Sequence, residues 1–132
     1  MEGGQKNEFR PLILVAEDDD SNFKLIKAII GKKCDIQWAK NGEEIVALFK
    51  EYGNEAKAIL MDIKMPVMNG LDATKIIRGE NKEIPIIMQT AYAFSSDKEN
   101  AMNAGASEVL VKPITLSILR NTLTKYFPEL VW

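Results

Sequence analysis

Five times along this chain a short apolar run gives way to a polar turn and then to apolar residues recurring at helical spacing. The first run, Leu12-Ile13-Leu14-Val15-Ala16, is followed at once by Glu17-Asp18-Asp19-Asp20-Ser21 and then by Phe23, Leu25, Ile26, Ile29 and Ile30. A run of that length is a buried strand. The stripe behind it is an amphipathic helix with acids in its first turn and Lys32-Lys33 beyond Gly31, as the helix dipole favours. Asp19 and Asp20 therefore read as the start of that helix. Asp35 to Lys40 is a second strand with Ile36 and Trp38 on one face. Asn41, with Glu44 three positions on, caps a helix striped by Ile45, Leu48, Phe49 and Tyr52. Ala58-Ile59-Leu60-Met61-Asp62 is a third strand, stopped by Pro66, and Asn69 caps a helix carrying Leu71, Ala73, Ile76 and Ile77 that Arg78-Gly79 should end.

Pro85 opens a fourth strand that runs to Thr90, at a position where a missing backbone donor is tolerated. Ser96-Asp97-Lys98-Glu99 is a capping box for a helix ending at Gly105; its stripe is the poorest of the five, which predicts the most mobile element. Val109-Leu110-Val111 is a fifth strand closed by Lys112-Pro113, and Thr115 caps a last helix with Leu116, Leu119 and Leu123, ending at Phe127-Pro128. Strand centres near Leu14, Ile36, Ile59, Ile87 and Leu110 recur every 22 to 28 residues. Five such units predict an α/β fold, a parallel sheet with helices on both faces, and a functional crevice at the carboxyl ends of the strands. Order is expected from Leu12, so the domain is 12–127, with 1–11 a tail or linker and 128–132 a C-terminal tail.

Composition narrows the chemistry. At 132 residues and 46% hydrophobic content the chain suits one domain with its own core. A net charge of −2 with no polybasic run gives no reason to expect nucleic-acid or membrane contact, which leaves proteins as the expected partners. Cys34 is the only cysteine, so an intramolecular disulfide is excluded; it reads as a small core residue and suits a reducing compartment. No run approaches the ~18 apolar residues of a membrane span, and a soluble, cytoplasmic domain is expected. There is no histidine, which rules out Ser/His/Asp and Cys/His catalysis and any phosphohistidine on this chain. Covalent chemistry must then use a carboxylate, lysine or hydroxyl.

An aspartate at a strand end is more often a turn former than a nucleophile, so Asp62 gains meaning only from its neighbours. If strands one and three are adjacent, Glu17 and Asp18 come close to Asp62. Carboxylates about 5 Å apart repel by roughly 3 kcal/mol per pair at an effective dielectric near 20. Either one takes up a proton or a hard divalent cation sits between them, and oxygen-only ligands favour Mg²⁺ or Mn²⁺. Thr90 and Lys112 end their own strands on the same rim, where a hydroxyl and a cation could hold phosphoryl oxygens. Acid pair, lone aspartate, hydroxyl and lysine suit phosphoryl transfer to Asp62.

Leu14-Val15-Ala16-Glu17-Asp18-Asp19, the run from Met61 to Gly70, Thr90-Ala91 and Val111-Lys112-Pro113 together resemble the receiver domain of two-component response regulators, from Leu12 to about Phe127. The resemblance implies a flavodoxin-like doubly wound sheet of order 2-1-3-4-5 with five helices. It implies that Asp62 accepts a phosphoryl group from the phosphohistidine of a histidine kinase or histidine phosphotransfer protein. Asp18, Asp62, the backbone carbonyl of Lys64 and Glu17 would hold Mg²⁺. Lys112 would pair with the carboxylate, Thr90 would move onto a phosphoryl oxygen, and Ala91 would leave it room. The face of helix four, strand five and helix five would then switch for a downstream protein or output domain; a homodimer through it stays open. The protein would be a signalling domain that catalyses its own phosphorylation and dephosphorylation rather than an enzyme acting on other substrates.

Three positions depart from the family's habit: Glu17 where aspartate is common, Val109 where an aromatic often couples to the threonine, and Lys64 where small polar residues are frequent. Lys64 and Tyr92 are expected to set the acyl-phosphate lifetime by controlling water access; Lys64→Asn and Tyr92→Ala should each change the dephosphorylation rate, and an unchanged rate defeats the idea. Three rival readings fit the residues less well. A phosphatase of haloacid-dehalogenase type would carry a second aspartate two positions after the nucleophile, where Lys64 stands. A flavin carrier would not put four acids in its first turn. A degenerate docking module would not need Asp62, Thr90 and Lys112 together. The polar start and the end soon after the last helix favour a module of a hybrid sensor kinase over a stand-alone protein or relay intermediate.

Overall fold

The computed structural model describes residues 9–91 and 95–132. Strands β1 (Leu12–Ala16), β2 (Asp35–Ala39), β3 (Ala56–Asp62), β4 (Ile86–Thr90) and β5 (Glu108–Val111) alternate with helices α1 (Asp20–Ile30), α2 (Gly42–Tyr52), α3 (Gly70–Glu80), α4 (Ser95–Ala104) and α5 (Leu116–Tyr126). The sheet is wholly parallel in the order β2-β1-β3-β4-β5.

Alternation along each strand splits the core in two. Ile13, Val15, Ala58, Leu60, Ile87 and Leu110 pack with Phe23, Ile26, Leu119 and Leu123 of α1 and α5. Leu14, Ala16, Ile59, Met61, Ile86 and Met88 pack with Ile45, Phe49, Ala73, Ile77 and Ala101 of α2, α3 and α4. Cys34 is buried in the first cluster, its thiol pushed up to about 11, mainly by burial. The caps at Asn41, Asn69 and Thr115 are in place, each accepting a backbone N–H of its helix, and Asp19 caps α1 by accepting from Ser21 and Asn22.

Some boundaries shift. Arg78-Gly79 does not end α3: the helix runs to Glu80, because the Arg78 guanidinium donates to the carbonyls of Gly105 (2.7 Å) and Asn81 (3.2 Å) and carries it through the glycine. α4 begins at Ser95, so Ser96 lies within the helix. Pro85 sits just outside β4, its carbonyl taking the Ile59 N–H at 2.9 Å. β5 begins one residue earlier than predicted, at Glu108, and β2 ends one residue earlier, at Ala39. Packing also extends beyond 12–127. The Phe9 ring lies 6.1 Å from that of Phe127, Arg10 bonds Asp35 and the Lys32 carbonyl, Leu130 is buried, and Trp132 donates to Thr124. No described helix is long and apolar enough to cross a membrane.

One loop is tightly wound. Between β3 and α3 the Met68 N–H closes a three-residue turn onto the Pro66 carbonyl at 2.7 Å, with Val67 at φ +70°. That conformation is strained for a β-branched residue. The turn is fixed from outside: Gly42 N–H donates to the Met68 carbonyl and Gly70 N–H to the Ile63 carbonyl, at 2.8 and 2.7 Å.

Candidate functional site

The alternation that sorts the core also sets the site. Glu17 continues Ile13 and Val15, Asp62 continues Ala58 and Leu60, and Lys112 continues Leu110, so all three carry the α1/α5-facing parity to or just past their strand ends. Thr90 has the opposite parity, that of Ile86 and Met88. It approaches the same rim from the other side, and the Lys112 N–H, donated to its carbonyl at 2.8 Å, fixes β5's end beside it. The next peptide, Lys112–Pro113, is cis.

A cleft of about 250 Å³ opens there, bordered by Glu17, Asp18, Asp62, Lys64, Thr90 and Lys112. Glu17, Asp62 and Thr90 are buried and Asp18 is exposed. The Lys112 ammonium lies 3.2 Å from Asp62 Oδ2 and 3.7 Å from Glu17 Oε1. Glu17 Oε2 accepts the Asp19 N–H at 3.2 Å, whereas Glu17 Oε1 is buried with no hydrogen-bond partner. Burial first, and then the charge of Asp62, push the Glu17 carboxyl up to about 7. Asp62 is raised too, by burial, with Lys112 pulling the other way. The pair therefore binds a proton more readily than exposed carboxyls do. Lys112 lies nearer Asp62 than Glu17 and so favours the charged form of Asp62 the more.

Glu17, Asp18 and Asp62 each offer an oxygen within 4.8 Å of the other two. An all-carboxylate set with one buried oxygen that lacks a hydrogen bond fits a hard divalent cation such as Mg²⁺: the cation would give Glu17 Oε1 a close partner and favour the ionised form of all three acids.

The expected residues thus come together, with qualifications. Asp19 faces its helix as a cap, and Ala91 is exposed at the cleft's edge. Val109 is half-buried against the α2–α4 cluster, paired in register with Met88, so an aliphatic side chain fills that place. Tyr92 lies outside the described residues. Sequence reasoning missed Asn22, which borders the cleft from α1, and Gly70, whose nearest neighbour is the carbonyl of Asp62. Asn22's place in the first turn of α1, directly behind the acidic turn, was the available signal.

The response regulator receiver domain family matches residues 13–124. The chain belongs to it. This receiver domain is 38% identical over 129 residues to hybrid signal transduction histidine kinase I of Dictyostelium discoideum, a match that covers 89% of the chain but only 7% of that kinase. Among solved structures it is similar to the receiver domain of the sensor histidine kinase PA1611 from Pseudomonas aeruginosa, which has a magnesium ion coordinated in its active-site cleft. The two share 31% identity with a TM-score of 0.81, over 89% of this chain and 97% of that one. It is also similar to the receiver domain of Ssk1 from Saccharomyces cerevisiae, crystallised with the histidine phosphotransfer protein Ypd1, at 28% identity and a TM-score of 0.83 over 92% and 93% of the two chains. The chain is a receiver domain of two-component phosphorelay signalling, and these similarities lend no support to a phosphatase of haloacid-dehalogenase type.

Proposed function

We propose that Asp62 is the phosphoacceptor, taking a phosphoryl group from the phosphohistidine of a histidine kinase or histidine phosphotransfer protein. The observation that carries this is the pairing of Asp62 Oδ2 with Lys112 at 3.2 Å while an Asp62 oxygen also meets Glu17 and Asp18 within 4.8 Å. A carboxylate attacks only when ionised, and the Lys112 ammonium favours the ionised form of Asp62. An Asp62 oxygen forms the new O–P bond as the donor's N–P bond breaks, and the N–P electron pair returns to the imidazole. Mg²⁺, or Mn²⁺, held by Glu17, Asp18, Asp62 and the Lys64 carbonyl, would neutralise charge on the phosphoryl oxygens. Lys112 would hold a second oxygen and the Thr90 hydroxyl a third, with Ala91 too small to obstruct it.

Beside the site, Leu25 and Ile26 of α1 with Pro113 and Ile114 line an apolar hollow of about 290 Å³, suited to a partner bringing its phosphohistidine to the cleft. Met102, Val111, Leu116 and Ile118 are exposed on α4, β5 and α5, the face proposed to be read by a downstream protein or output domain. Lys64 at the cleft's mouth is proposed to govern water access and so the acyl-phosphate lifetime.

Incubation with a small-molecule phosphodonor and Mg²⁺, followed by intact mass measurement and peptide mapping, is expected to show one phosphoryl group on the peptide containing Asp62. A chelator should prevent its appearance. No adduct, or one that persists in Asp62→Asn, would overturn the assignment.

A further inference from the structure

Trp38 is bound into the acidic turn more tightly than a packing residue requires. Its indole N–H donates to the Glu17 carbonyl at 2.8 Å, while the Glu17 N–H donates to the Ala39 carbonyl at 2.9 Å. Both backbone polar groups of Glu17 are thus held by the end of β2, one by a side chain and one by the next peptide. With Glu17 Oε2 accepting the Asp19 N–H, the residue has its peptide and its carboxylate fixed together, leaving Oε1 toward Lys112 and the other acids. The indole is itself immobilised. It stacks on Phe23 of α1 with centroids 3.9 Å apart and planes 1° from parallel, and the Lys40 ammonium lies 4.7 Å from its centroid. Lys40 in turn sits 3.5 Å from Asp20 at the start of α1.

Core packing alone would be met by the stack. The hydrogen bond adds a directional tie to Glu17, whose Oε1 is buried without a hydrogen bond. We propose that Trp38 is a positioning residue for the cation site: its indole N–H holds the Glu17-Asp18-Asp19 turn in the geometry that presents Glu17 and Asp18 to a divalent cation. The inference rests on the Mg²⁺ reading above.

Trp38→Phe keeps an aromatic ring on Phe23 and removes the donor. Mg²⁺ titration by calorimetry is expected to show affinity about fivefold weaker, the scale of one net hydrogen bond. Amide exchange in metal-free protein should be faster at Asp19. A purely structural role predicts a lower Tm with unchanged Mg²⁺ affinity and unchanged exchange at Asp19, and that result overturns the proposal. If Trp38→Phe does not fold, Trp132→Phe leaves Trp38 as the sole indole; its N–H resonance should then move on adding Mg²⁺, and a resonance that stays put also overturns it. An unsubstituted chain that does not bind Mg²⁺ defeats the metal reading itself, and faster or unchanged Asp19 exchange then supports or overturns the tie.

Discussion

Replacing Lys112 by methionine is expected to destabilise the metal-free domain by about 3 kcal/mol at pH 8 and by less than about 1 kcal/mol near pH 4.5. The ammonium sits 3.2 Å from one buried carboxylate and 3.7 Å from another, and methionine fills most of its volume without its charge. Lys112 lowers the proton affinity of both Glu17 and Asp62, so its loss raises both further above their ordinary values of 4.5 and 3.8. A carboxyl whose folded pKa is raised contributes its full stability below the unfolded value and loses it as pH climbs through the folded one. The deficit must therefore grow as pH climbs through the values at which the two carboxyls ionise beside Lys112 in the unsubstituted protein, the share of Glu17 appearing as pH passes about 7. Saturating Mg²⁺ should return part of it, since the cation would replace the missing charge. Urea unfolding at a series of pH values measures this directly. A deficit of constant size across that series would mean that Lys112 acts through packing alone.

The same residues show what a sequence can disclose. The five units were legible because alternation within strands and the spacing behind them are strong local patterns, and Asp62, Glu17 and Lys112 stood at strand ends where alternation continues. Strand order is not local. Periodicity allowed strands one and three to be neighbours, but the order 2-1-3-4-5 came with the family resemblance and is now observed. The end of α3 was misjudged because Arg78 finds acceptors at Gly105 and Asn81 that only the folded chain supplies. Trp38, in the sequence only a residue on one face of the second strand, hides its contact for a similar reason. Nothing near it in sequence shows that its N–H reaches the Glu17 carbonyl, 21 residues away.

Gly70 is the most constrained of these hidden positions, and Gly70→Ala is expected to cost 3 kcal/mol or more, on the order of the larger single-residue effects. A Cβ at Gly70 would overlap the carbonyl oxygen of Asp62 and lie 3.0 Å from Met61 Cγ. The obstacle is backbone and cannot rotate aside. Nor can it shift cheaply, because Asp62 is registered against Gln89 and Met61 against both Ala16 and Met88. Relief would have to come from α3, whose first turn is tied to the strand's end by the Gly70 N–H on the Ile63 carbonyl and capped by Asn69. The substitution thus forces a choice between moving the helix and moving the peptide of the proposed phosphoacceptor. In the fraction that folds, phosphoryl incorporation at Asp62 should fall at least about tenfold, since a misplacement of about 1 Å at a reacting group is enough for that. Gly79 in the same helix is the internal control. An added Cβ there meets nothing within 4 Å, and alanine should stabilise by about 1 kcal/mol through helix propensity. Opposite signs at two glycines nine positions apart, read by urea unfolding, would show that the close approach at Asp62 is the cause; equal and small effects at both would show that α3 can slide away from the strand without cost.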